Sequence, residues 1–179
     1  SALRGSPLPE RVTGVDLVDQ ICQRAEERSF RVFFLGATED VLDLMVQKLS
    51  SRYPNLEIAG CRNGYFTKEE SAEVAEQISQ SGAQLLFVAM GVPRQEEFIM
   101  EFGEQTGVNL AVPVGGSFDV IAGIRKRAPK WLQRIGMEWF FRLAQEPGRL
   151  WRRYLVTNFQ FLLLVGQDLL RQKARRTAV

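Results

Sequence analysis

Four short apolar runs, each joined to the next by a helical pattern, constrain the fold of this chain more than any other feature. They are 30–36 (FRVFFLG), 56–61 (LEIAGC), 84–91 (QLLFVAMG) and 109–116 (NLAVPVGG, despite Pro113 near its end). An apolar run of strand length that ends in glycine reads as a strand buried on both faces, the setting of a parallel sheet. Parallel strands need crossover connections, usually helical. The sequence supplies them. A helix over 15–28 places Val15, Val18, Ile21, Cys22 and Ala25 at helical spacing, with Thr13 or Asp16 as its cap. A second, over 39–53, is capped by Thr38 and stopped by Pro54. A third, over 68–82, starts from a Thr67/Glu70 capping box. A fourth, over 94–107, has Pro93 in its first turn. The alternation predicts an α/β protein: a doubly wound, Rossmann-like, mostly parallel sheet over residues 1–130. After Ala128-Pro129 the pattern is helical only, which predicts a C-terminal helical appendage over 131–179. Its expected parts are a helix over 132–146, a break at Pro147-Gly148, and a longer helix from 149 towards 173.

Ligands of doubly wound sheets bind beyond the carboxyl ends of the strands. Four loops are expected to converge there: Gly36-Ala37-Thr38, Asn63-Gly64-Tyr65-Phe66, Gly91-Val92-Pro93-Arg94-Gln95-Glu96 and Gly115-Gly116-Ser117-Phe118-Asp119. The last is the most pointed. A buried strand that breaks at two glycines before a helix leaves backbone N–H groups at which an anion can sit. Neither GxGxxG nor a Walker A motif occurs, so dinucleotide binding and ATP hydrolysis have no direct support.

Composition narrows the chemistry. The chain has no histidine, which removes Ser-His-Asp and Cys-His catalysis within it. Cys22 and Cys61 lie far apart, without a CxxC, as suits a reduced cytosolic compartment. Residues 1–12 read as extended and proline-marked, and lack the apolar core of a signal peptide. A net charge of +2 is too small to argue for nucleic acid. Arginines and lysines nevertheless crowd the C-terminal third. The apolar run YLVTNFQFLLLV there is shorter than the roughly 20 residues needed to span a bilayer. A helix lying in the membrane interface or packed on a partner fits it better, and self-association is expected where lipid is absent. Trp131, Trp139 and Trp151 suit an interfacial belt, with core or partner packing as the alternative.

The loops, in their order, resemble the WecG/TagA/CpsF family of bacterial glycosyltransferases. The resemblance rests on PERVTGVD (9–16), FLG (34–36), NGYF (63–66), GVPRQE (91–96), VGGSFD (114–119), RAP (127–129), GMEW (136–139), EPGR (146–149) and RRY (152–154). It covers nearly the whole chain to about residue 160. It implies an inverting, metal-free transfer without a cofactor. An N-acetylhexosamine-type sugar, commonly N-acetylmannosamine or its uronic acid, would move from a UDP donor to a polyprenyl-diphosphate-linked sugar acceptor. The expected location is the cytoplasmic face of the cell membrane, in teichoic acid or surface polysaccharide synthesis. It also implies a further segment upstream of Ser1 that carries the aspartate base. The alternative reading is a truncated, non-catalytic homologue that binds a nucleotide or partner.

The resemblance implies roles residue by residue. Gln95 contacts the sugar or acceptor, and Arg142, Arg149 and Arg152 form a lid that stabilises the leaving UDP. A basic face attracted to anionic lipid is the competing reading of these arginines, and the two are compatible. Arg11 is a candidate for a phosphate. Tyr65 either stacks on uracil or folds back on the core. Asp119 accepts hydrogen bonds from uracil or ribose, or merely caps a helix. Glu96, Gly91, Pro93, Gly115 and Gly116 complete the expected substrate edge, with Glu96 also readable as ordinary helix-start polarity. Arg94 reads as solvated.

Overall fold

The computed structural model describes residues 12–129, 131, 132, 137–145, 147, 148, 151, 164 and 165. Contacts divide the chain into two compact units, Ser1–Lys126 and Arg127–Val179. In the first, the elements run α1 (Gly14–Arg28), β1 (Val32–Gly36), α2 (Glu39–Arg52), β2 (Ile58–Arg62), α3 (Ser71–Ser81), β3 (Leu85–Ala89), α4 (Arg94–Phe102), β4 (Leu110–Pro113) and α5 (Ser117–Ile121). In the second, α6 (Glu138–Gln145) is the helix described over its full length.

The strands form one parallel sheet, as the sequence predicts, and their order is β2-β1-β3-β4. Its centre is the β1–β3 pair, in unbroken register from Val32 opposite Leu85 to Gly36 opposite Ala89. Neighbouring residues on a strand face opposite sides. Val32, Phe34 and Phe87 meet α1, α2 and α5 on one side. Phe33, Leu35, Leu86 and Val88 meet α3 and α4 on the other. Each fully buried phenylalanine contributes about 1.5–3 kcal/mol relative to exposure. Phe34 stacks on Phe87, centroids 5.6 Å apart, and tilts edge-on to Phe118 of α5 at 5.7 Å.

This topology places the ligand edge. The chain leaves β1 towards one face, returns through β2, then crosses to β3 and leaves for the opposite face. The loops after β1 and β3 therefore diverge and open a crevice at their carboxyl ends. Backbone contact there is very close. Gly36 has φ +130°, and a Cβ on it would lie 2.4 Å from the Ala89 carbonyl oxygen. Ala37 N–H donates to that same oxygen at 3.1 Å, and Gly64 N–H donates to the Ala37 carbonyl at 3.0 Å.

Several local expectations change. Thr13, not Asp16, is the cap of α1, with Asp16 returning the bond to Thr13 N–H at 3.1 Å. Thr38 occupies the cap position of α2 without a side-chain cap bond. Glu70 does accept the Thr67 N–H, at 2.6 Å, yet α3 begins only at Ser71, because residues 68–70 form a turn first. Pro93 is the cap of α4 rather than part of it, and α4 ends at Phe102. β4 is not a buried strand. It lies at the sheet edge, with Leu110 and Pro113 exposed. Pro147 and Gly148, expected as a break, are both helical.

Cys22 lies wholly inside the core, where burial, and secondarily Asp19, pushes its thiol up to about 12. Burial also raises the thiol of the exposed Cys61, with Asp43 and Glu39 adding to the shift. At pH 8 about one Cys22 in ten thousand is thiolate. A thiol reagent at pH 8 is expected to modify Cys61 slowly and Cys22 only after unfolding. Rapid modification of both in the folded chain would contradict this packing.

Candidate active site

The four predicted loops do meet at the carboxyl edge of the sheet, and specific bonds hold them there. After β1, Glu39 Oε1 accepts from Asn63 Nδ2 at 2.9 Å, which joins the first loop to the second. After β2, Asn63 Oδ1 turns back to accept the Tyr65 N–H at 3.0 Å. That turn leaves the Tyr65 ring 74% exposed, so it does not fold back on the core. Phe66 goes the other way and is buried against Phe98 at 6.1 Å.

The third loop is tied on both sides. Arg94 is solvent-exposed, as expected, and its guanidinium also donates to the Phe66 carbonyl oxygen and lies 4.8 Å above the Phe66 ring. Gln95 is only 4% exposed. Its Oε1 accepts the Gly115 N–H at 3.1 Å, and its Nε2 donates to Glu96 Oε1 at 2.8 Å. Gln95 therefore lies beneath the edge and links the third loop to the fourth. Gly91 and Gly115 have φ +79° and +54°, and open space surrounds the position a Cβ would take on either.

The fourth loop departs from the anion-site expectation. Its helix, α5, is five residues long. Gly115 N–H goes to Gln95, and Ser117 N–H goes to the Val114 carbonyl at 3.3 Å. Two of the amides expected to face an anion are thus used within the protein. Gly116 is the cap of α5, and Asp119 lies within that helix, so it is not a cap. Asp119 pairs with Arg125 at 3.7 Å, and the Arg125 and Ile124 N–H groups both bond its carbonyl at 3.0 Å. Arg125 is the partner that sequence reasoning missed. Six residues separate the two across an irregular turn, which leaves no periodic signal. Gly14 of α1 packs against the same turn, where a Cβ would lie 2.5 Å from Ser117 Oγ.

A cavity of about 460 Å³ lies beside this edge, not on it. It is lined by Phe66 and Met90 from the loops and by Arg94, Phe98, Glu101 and Phe102 of α4, and it includes neither Asp119 nor the glycine pair. The strand-end edge is the better candidate site, because there the residues of four loops converge. Among the described residues no three of His, Cys, Asp and Glu cluster as metal ligands. Arg142 lies on α6. Arg11, Arg149 and Arg152 fall outside the described residues. Trp131, Trp139 and Trp151 are exposed, which argues against core packing for them. No helix of the described residues is long and apolar enough to cross a membrane.

Comparison with known proteins bears on this edge. The sequence model of the glycosyl transferase WecG/TagA/CpsF family matches residues 1–176. A protein of Bacillus subtilis (strain 168), named N-acetylglucosaminyldiphosphoundecaprenol N-acetyl-beta-D-mannosaminyltransferase, is 39% identical over 155 residues. A protein of the same name from Bacillus spizizenii is 40% identical over 155 residues. Each match takes in 87% of this chain and 59% of the relative, so the chain spans about three fifths of the length of these relatives.

Phe118 is the anchor that holds Asp119 over the sheet. Replacing a wholly buried phenylalanine with alanine costs about 3–5 kcal/mol. Phe118→Ala should lower the urea midpoint accordingly, and a loss below about 1 kcal/mol would mean that α5 is held by something else.

Proposed function

The chain belongs to the WecG/TagA/CpsF family of glycosyl transferases, and on that premise we propose that it transfers an N-acetylhexosamine, such as N-acetylmannosamine, from a UDP donor. The acceptor in this reading is an N-acetylglucosamine linked through diphosphate to a polyprenol, and the product feeds a cell-wall or surface polymer. The observation that carries the reading is the meeting of four loops at the carboxyl edge of a parallel sheet, with an exposed tyrosine on one and a held carboxylate on another.

Tyr65 offers a ring face to uracil, since bases stack well on aromatic side chains. Asp119, kept in place by Arg125, accepts hydrogen bonds from uracil or ribose. The bare backbone at Gly91 and Gly115 lets the donor approach closely, with Pro93 and Gly116 assigned to the same edge. Arg11 is assigned to a phosphate. Inversion requires the acceptor oxygen to attack the anomeric carbon opposite the diphosphate. The anomeric bond to UDP breaks, and the acceptor proton passes to a carboxylate base. Negative charge grows on the departing diphosphate, where guanidinium groups bind in bidentate fashion. Arg142, Arg149 and Arg152 are assigned that role. The basic C-terminal third suits work at an anionic membrane surface, where a lipid-linked acceptor resides.

UDP release from UDP-N-acetylmannosamine, with a polyprenyl-diphosphate-N-acetylglucosamine acceptor in liposomes, tests the activity. Arg149→Glu should abolish release while the thermal midpoint is unchanged. Tyr65→Ala should weaken UDP binding by on the order of tenfold, the worth of one stacked base. Unaltered turnover in the first and unaltered affinity in the second would sink these assignments.

A further inference from the structure

Gln95 and Glu96 lie in the first turn of α4, and Gly115 lies twenty positions beyond Gln95, just after β4. We propose that Glu96 is a positioning residue for the Gly115–Gly116 turn and acts through the Gln95 amide. This deepens, and rests on, the reading of the strand-end loops as the donor site.

The argument is one of donors and acceptors. A glutamine amide has an oxygen that accepts and a nitrogen that donates, and the two ends are not interchangeable. Gly115 N–H can only donate, and it meets Gln95 Oε1 at 3.1 Å. A carboxylate can only accept, and Glu96 Oε1 meets Gln95 Nε2 at 2.8 Å. Glu96 thus dictates which way the amide points, and that direction is the one Gly115 requires. Gln95 is 4% exposed, so water has little access to replace either bond. Gly115 has φ +54°, and no atom lies within 4 Å of where a Cβ would be. Ser117 bonds the Val114 carbonyl through its N–H and its hydroxyl on the far side of the turn, and the Gln95 bond fixes the Gly115 N–H between them. Asp119 follows within the helix that the turn opens, and is placed along with it.

Glu96 also shows a cost. Its Oε2 is buried with no hydrogen-bond partner among the described residues. A carboxylate oxygen desolvated in this way opposes stability. The contribution of Glu96 lies instead in the bond made by its other oxygen.

Amide exchange of Gly115 measures the relay directly, with the Gly82 N–H, bonded to Ser79 in the C-cap of α3, as an internal reference. Glu96→Gln still offers an acceptor to Gln95 Nε2, so Gly115 exchange should stay within about threefold of the parent. Glu96→Lys presents only donors, turns the amide round, and should speed Gly115 exchange by on the order of tenfold while Gly82 is unchanged. Gln95→Met removes the acceptor altogether and should match the lysine variant even with Glu96 intact. If the lysine variant also speeds Gly82, it has loosened the whole fold, and the methionine and glutamine variants then carry the test. Unchanged Gly115 exchange in Gln95→Met, or equal acceleration in Glu96→Gln and Glu96→Lys, overturns the relay. UDP titration of the same proteins separates the two claims. Parent protein that protects Gly115 but binds no UDP overturns the donor-site reading and leaves the relay standing. Tight UDP binding with an indifferent Gly115 overturns the relay alone.

Discussion

The pairing of β1 with β3 is the constraint from which the rest of the first unit follows. Both strands are buried on both faces, and their five-residue register is unbroken. A strand in that position has to be covered above and below, so helices are required on both sides of the sheet. Because β2 pairs on the far side of β1, the chain must cross over to reach β3. That crossover sends the loops after β1 and β3 to opposite faces. The ligand edge is therefore a consequence of strand order, not an addition to the fold.

What turns a crevice into a site is a small set of bonds between loops remote in sequence. Asn63 reaches Glu39, Arg94 reaches Phe66, and Gln95 reaches Gly115. Each takes a polar side chain of the edge and spends it on holding another loop in place. The consequence is a division of labour. Gln95 supports the edge from within and Arg94 from its exposed side, whereas Tyr65 is presented outward and Asp119 is held by Arg125. A buried polar group such as Gln95 is costly if unpaired and rigid when paired, which suits it to placing a loop accurately.

The chemistry assigned to this edge divides in the same way. The sheet edge supplies aromatic, carboxylate and bare backbone surfaces, suited to a nucleotide. The basic residues suited to a departing diphosphate are concentrated in the C-terminal third, among them Arg142 on α6. Similarity to the Bacillus transferases extends across 87% of the chain, so it takes in motifs of both kinds rather than the sheet alone.

The sequence by itself determined the alternation of elements, the parallel sheet, the loops that form its ligand edge, and the family. These are legible because they rest on local quantities: the period of apolar residues, glycines at strand ends, and contiguous motifs. It did not reveal that β4 is half-exposed, because burial at a sheet edge depends on what stands beside it, and strand pattern does not record that. Nor did it reveal that Gln95 is buried beneath the edge, that the exposed Arg94 also bonds Phe66, or that Arg125 pairs with Asp119. Only the tertiary structure decided those roles, since each joins residues that no helical or strand period brings together. A polar residue at the start of a helix reads the same in sequence whether it faces a ligand or a neighbouring loop. What distinguishes the two is the presence of a backbone N–H from twenty residues away at hydrogen-bonding distance, and folding alone puts it there.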